Sequence, residues 1–156
     1  MIHSKHLMCA AALVLWLTGC AKINDKTLGW VSTNVDAYVI VNGQLLAGNV
    51  TLIPDRTARL TFSADSGPVT TCAGSMRHTA SNAGMIDLRC NDGAVAQLQF
   101  TLITETRGYA YGRTTDAPVS LTFGLPATDA RAFLTVPEGK KLVESAKGGD
   151  LTLEPQ

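Results

Sequence analysis

From Ala58 to Leu125 apolar and polar residues alternate with a period of two, segment after segment, and turn-forming clusters separate the segments. That period puts successive side chains on opposite faces of an extended strand, so each segment has one face to bury and one to wet. Ala58–Ala64 directs Leu60 and Phe62 one way and Arg59, Thr61 and Ser63 the other. Ala94–Thr104 directs Ala96, Leu98, Phe100 and Leu102 inward and Gln97, Gln99 and Thr101 outward, and Val119, Leu121, Phe123 and Leu125 share one face of the last segment. Asp65-Ser66-Gly67, Asn82-Ala83-Gly84, Arg107-Gly108 and Asp116-Ala117-Pro118 supply the breaks. Short strands joined by tight turns pair with their sequence neighbours, which makes this stretch an antiparallel meander.

The pattern also predicts registers. Folding Val69–Thr79 against Met85–Cys90 about position 81 sets Cys72 opposite Cys90, Gly74 opposite Leu88 and Met76 opposite Ile86. The apolar side chains and both cysteines then lie on one face, with Ser75, Arg77, Asp87 and Arg89 on the other, and a slip of one residue would reverse every position. Asn91-Asp92-Gly93 reads as a three-residue loop with Gly93 in the left-handed region, pairing Cys90 with Ala94 and Ile86 with Leu98. A two-residue Asp-Gly turn would instead set Gln97 against Leu88. Upstream, Ala37–Val41, Asn42-Gly43 and Gln44–Ala47 form a hairpin, because Asn-Gly provides the two positive-φ residues of a type I′ turn. Gly48-Asn49 precedes a further strand, Val50–Ile53, which ends at Pro54-Asp55.

The first thirty residues differ in kind. Lys5 and two histidines precede Leu7–Leu17, eleven apolar residues without interruption. An eleven-residue helix reaches only about half of a ~30 Å hydrocarbon core, so the run fits an export leader better than a membrane span. It closes on Leu17-Thr18-Gly19-Cys20, which resembles the lipobox of bacterial lipoproteins: an apolar residue and two small ones before a cysteine. The resemblance implies diacylglyceryl transfer to the Cys20 sulfur, cleavage before Cys20 and acylation of the new amino group. It further implies outer-membrane retention facing the periplasm, since Ala21 stands where an aspartate commonly holds such proteins in the inner membrane. The alternative is an ordinary cysteine with cleavage after Ala21.

The organisation expected is therefore a signal peptide at 1–19, a lipidated terminus and short polar tether at 20–29, and one β domain at 30–156, with Trp30 and Val31 starting a first strand and packed in the core or, alternatively, lying at the membrane interface. An exported compartment is oxidising, and apart from Cys20 the mature chain holds only Cys72 and Cys90, so a disulfide between them is expected. The fold class is all-β: a sandwich or small barrel of about eight strands with one disulfide. A short helix is expected near the C-terminus, because Thr135 and Glu138 have capping-box spacing ahead of Lys140–Lys147 and Gly148-Gly149 would stop it. Thr128 or Asp129 offers a cap for a shorter helix through Leu134. Leu151–Leu153 reads as an edge strand, with Glu154–Gln156 fraying.

Few residues suggest chemistry. Basic and acidic side chains balance over the whole chain, and losing Lys5 with the leader leaves one net negative charge, so there is no footprint for nucleic acid. No nucleophile elbow, zinc-protease motif or phosphate loop occurs, and His78 is the single histidine outside the leader. No metal, cofactor or catalytic residue is expected. Asp87 with Arg77 and Arg89 reads as a solvated surface set, and Lys140, Lys141 and Lys147 as a solvated face. Tyr109 and Tyr111, beside Ala110 and Gly112, offer flat apolar area for a binding surface, or alternatively fill the taper of a barrel. The function expected is a membrane-anchored, non-enzymatic envelope lipoprotein that binds another envelope component. The alternatives are a periplasmic inhibitor of an invading hydrolase such as lysozyme, and an enzyme or enzyme subunit.

Overall fold

Eight strands follow one another around a closed antiparallel barrel in a computed structural model that describes residues 31–145 and 149–156. They are β1 (Thr33–Val41), β2 (Gln44–Ile53), β3 (Thr57–Ser63), β4 (Thr71–His78), β5 (Ala83–Cys90), β6 (Val95–Thr104), β7 (Arg107–Arg113) and β8 (Pro118–Phe123). The fold is all-β, as the alternation requires. Each strand pairs with the next, and β8 returns to β1 with Ala37 opposite Phe123 and Ile40 opposite Ser120. Closure leaves no unpaired barrel edge to template aggregation.

The registers read from the alternation hold. Cys72 faces Cys90, Gly74 faces Leu88 and Met76 faces Ile86, and the two cysteines form a disulfide. Gly93 adopts φ 87° and Ile86 pairs with Leu98, so the three-residue loop is the one formed. Asn42 and Gly43 both have positive φ, 49° and 74°, as a type I′ turn demands.

The barrel interior is filled rather than hollow. Leu46, Leu60, Met76, Ile86, Leu98 and Phe100 are each at most 1% exposed, consistent with an eight-strand barrel just wide enough for its own side chains. Small residues make room for large ones. A Cβ on Gly108 would lie 2.7 Å from Phe123 Cζ and one on Gly84 2.6 Å from Phe100 Cε1, so both rings occupy space that those glycines vacate. With apolar residues inside and Arg, Thr and Gln outside, the polarity is the inverse of a membrane-spanning barrel.

A second apolar cluster lies outside the barrel wall. β1 is buried on both faces through its upper half: Val39 and Val41 point to the interior, and Tyr38 and Ile40 pack against Leu125, Ala127, Ala130, Leu134 and Leu151. These belong to the C-terminal segment, made of α1 (Ala127–Ala130), an extended stretch, and a hairpin of β9 (Lys140–Glu144) with β10 (Leu151–Pro155). The segment also covers the outward hydroxyls of β8. Thr135 N–H donates to Ser120 Oγ at 2.8 Å, whereas the Thr122 hydroxyl is buried without a partner.

Several boundaries differ from the sequence reading, each for a local reason. Gly48-Asn49 does not break β2: Gly48 sits in mid-strand where a Cβ would collide with the Thr61 carbonyl of β3. Ala83 and Gly84 belong to β5, and Arg107 and Gly108 to β7, so those glycines serve strand packing rather than turns. Leu125 leaves the barrel interior because Gly124, at φ 67°, ends the alternation and turns it into the outer cluster. The helix expected over Lys140–Lys147 is not formed in its described part. Gly139 at φ 73° breaks the chain directly after the Thr135–Glu138 pair, where the helix would have to continue, and Leu142, opposite Leu153 in the hairpin, packs on the outer cluster instead. Among the described residues helical structure is confined to α1, whose N-cap position is Pro126, with no side-chain cap, rather than Thr128 or Asp129. The C-terminus does not fray: Glu154 and Pro155 lie in β10, and Gln156 N–H donates to Gly139 O at 3.0 Å. Val31 is 63% exposed rather than packed in a core. Residues Thr33–Gln156 form one compact unit. The expectations for the leader, Cys20, the tether, Trp30 and Lys147 lie outside the described residues.

Candidate binding surface

A filled interior leaves the outer surface for recognition. β7 is built inside out relative to its neighbours: Gly108, Ala110 and Gly112 face the barrel, with Ala110 opposite Phe100 and Leu121, and the bulk of the strand points outward as Tyr109 and Tyr111. The tyrosines therefore do not fill a taper. Tyr109 stacks on Phe133 at 4.7 Å between centroids with the rings 14° from parallel, and Tyr111 leans on Tyr109 at 5.5 Å. Phe133 comes from the turn after α1, so the C-terminal segment buttresses the ledge. Tyr111 is 43% exposed. Burial, and then the neighbouring Tyr109, raise its phenol above the ordinary value of 10.0. An aromatic ring held by packing yet open on one side offers contact area at little cost in conformational entropy.

The ledge continues into ordered polar groups. Tyr111 pairs across β6 with Gln99, and Gln97, one row on, donates from Nε2 to Asp87 Oδ1 at 3.0 Å. Asp87 thus accepts from Gln97 on the exposed face it shares with Arg77 and Arg89. Phe133 was not legible as part of this surface, because the pairing that brings it to Tyr109 spans a segment with no strand alternation.

His78 has a structural task. A carbonyl can only accept, so His78 Nδ1 donates to Arg56 O, at 2.7 Å, while its ring sits edge-on to Phe100. Arg56 occupies the left-handed region at φ 67° and donates from Nη2 to Ala80 O at 2.7 Å. These bonds hold together a shallow depression of about 400 Å³ between the 54–56 and 79–82 turns. A second depression of about 450 Å³ lies where β10 crosses β2. Lys140, beside it, donates from Nζ to Gly43 O at 3.1 Å. Among the described residues no group of three His, Cys, Asp or Glu side chains converges to hold a metal.

Under the C-terminal segment the Tyr38 hydroxyl donates to Asp150 Oδ1 at 3.4 Å. Burial, and next the Asp150 charge, hold its phenol above 10.0. The folded state thus prefers neutral Tyr38 more than the unfolded chain does. That contribution is fully present below pH 10 and is lost as pH rises above 10 through the folded value. Thermal melts of the wild type should fall between pH 9 and pH 11, and Tyr38→Phe should fall less. An equal fall in both would show that Tyr38 does not carry the effect.

The structure is a filled, eight-stranded antiparallel meander barrel with an aromatic ledge on its outer wall. Compared with protein-family models, curated proteins and solved structures, the chain matches none.

Proposed function

We propose that this chain is a lipid-anchored, non-enzymatic binding module of the bacterial envelope, carried on acylated Cys20 at the outer membrane and facing the periplasm. The observation that carries the binding role is Tyr111, exposed on a ledge that Tyr109 and Phe133 hold rigid. The leader and lipobox residues support the anchoring, and the Cys72–Cys90 bridge suits an oxidising compartment. Because the barrel interior is occupied by its own side chains, a partner is engaged on the outer wall. The partner is another envelope component.

In-cell cross-linking followed by affinity purification tests this. Tyr111→Ala should lose the cross-linked partner bands while melting within ~2 °C of wild type, since it removes a half-exposed ring. His78→Ala should keep the bands. Undiminished cross-links in Tyr111→Ala would remove the ledge from the binding surface.

A further inference from the structure

Charge is sorted by position on this barrel. Outside residues 1–19 the chain carries thirteen Asp and Glu against twelve Lys and Arg, a net charge of −1. Yet the outward strand positions of β3 to β7 hold Arg59, Arg77, Arg89, Arg107 and Arg113, with Asp87 as their one acid and no lysine or glutamate. The other carboxylates lie in turns, on β1, in α1 and in the C-terminal hairpin. None of the five arginines has a carboxylate partner among the described residues. A surface built only for solubility intersperses both signs and uses lysine and glutamate freely. Unpaired arginines alone present planar forks that bind carboxylates bidentately.

The register assembles them. Arg59, Ser75, Asp87, Gln97 and Arg113 are successive cross-strand partners from β3 to β7, one belt crossing four inter-strand spacings of ~4.8 Å, about 19 Å in all. Arg77, diagonal to Asp87 on β4, and Arg89, two residues along β5, flank it on opposite sides of the belt. The adjacent row runs Arg77, Met85, Gln99, Tyr111, so the belt and the aromatic ledge are continuous.

We propose that this outward face recognises an acidic protein partner, its arginines receiving carboxylates and Asp87 receiving a donor between them. The central aspartate decides the class. A uniform polyanion, whether a carboxylate or phosphate polymer or an anionic bilayer, would be held by the arginines but weakened by Asp87, whereas a protein surface can present carboxylates around an amide or ammonium and satisfy both. Tyr111, Met85 and the two glutamines supply the apolar and amide contacts that protein interfaces combine with arginine. The inference deepens the binding role proposed above and rests on it.

The mature lipidated protein in detergent micelles, titrated with poly-L-glutamate at low salt, tests the face without any native partner. The mature chain is close to neutral, so binding reports the arginine face rather than overall charge. Wild type should bind, Arg77→Ser/Arg89→Ser should bind at least tenfold more weakly with an unchanged melting temperature, and Asp87→Asn should bind more tightly. Arg131→Ser, beyond α1 and off this face, should bind as wild type. No binding by wild type, or equal loss in Arg131→Ser, would overturn the proposal. Tighter binding to polyphosphate or to phosphatidylglycerol micelles than to polyglutamate would overturn it in favour of a phosphate surface. Retained polyglutamate binding alongside Tyr111-independent cross-links would reject the ledge while leaving the arginine face standing.

Discussion

Cys20→Ser is expected to abolish acyl labelling, to leave a precursor that retains residues 1–19, and to release the domain from its firm hold on the membrane. Thioether formation needs a sulfur nucleophile, and a serine hydroxyl does not ionise near neutral pH. Cleavage depends on prior lipid transfer, so one substitution blocks both steps. At ~0.8 kcal/mol per buried methylene a single acyl chain binds marginally, whereas three together hold essentially irreversibly. The loss should therefore be all or none. Palmitate labelling, gel mobility and membrane fractionation read the three consequences together. Labelling that survives in Cys20→Ser would place the lipid elsewhere and remove the anchor proposed here.

Loss of the disulfide should have the largest effect on the folded domain. Cys72 and Cys90 are 18 residues apart in sequence, and releasing a loop of that size costs about 3 kcal/mol in the chain-entropy account. For a barrel of this length that corresponds to a fall in melting temperature of about 10 °C. Cys72→Ala/Cys90→Ala should show it, and so should the wild type in reductant. Both cysteines line the interior cluster, so the double alanine variant also loses some packing and should melt slightly lower than the reduced wild type. A change below ~3 °C in both would mean that the hairpin ladder holds β4 and β5 together without the bridge.

The barrel was largely legible because two independent signals agreed along it. Alternation chose the inward face of each strand, the chemistry of Asn42-Gly43 and Asn91-Asp92-Gly93 chose the registers of their own hairpins, and the Cys72–Cys90 pairing followed from folding about position 81 with the apolar side chains on one face. The C-terminal segment was misread where such signals conflict. Thr135, Glu138 and the charges after them have helical spacing, yet what decides their fate is the outer face of β1. Ala37-Tyr38-Val39-Ile40-Val41 is apolar at every position in a chain whose other strands alternate. A strand apolar on both faces needs cover on both, and that signal could have identified β1 as the strand to be covered. The candidate surface was legible in part. Arg77, Asp87 and Arg89 share a face in the sequence, but Arg59 and Arg113 join them only through a register spanning five strands. Tyr109 and Tyr111 could be assigned outward only once Ala110 was set against Phe100 and Leu121.

The seam between the first and last strands carries a further consequence. β1 shares nine paired positions with β2 but only four with β8, and the C-terminal segment lies across that shorter ladder, bonding to Ser120 and Tyr38. Sealing the barrel joins residues eighty or more positions apart, and the pieces that fasten the joint follow all eight barrel strands in the chain. Long-range closure of this kind is slow and comes late in folding. A copy cut short after β8 would hold its seam by four paired positions without the Ser120 and Tyr38 fastenings, and would be the more open to proteases along that line.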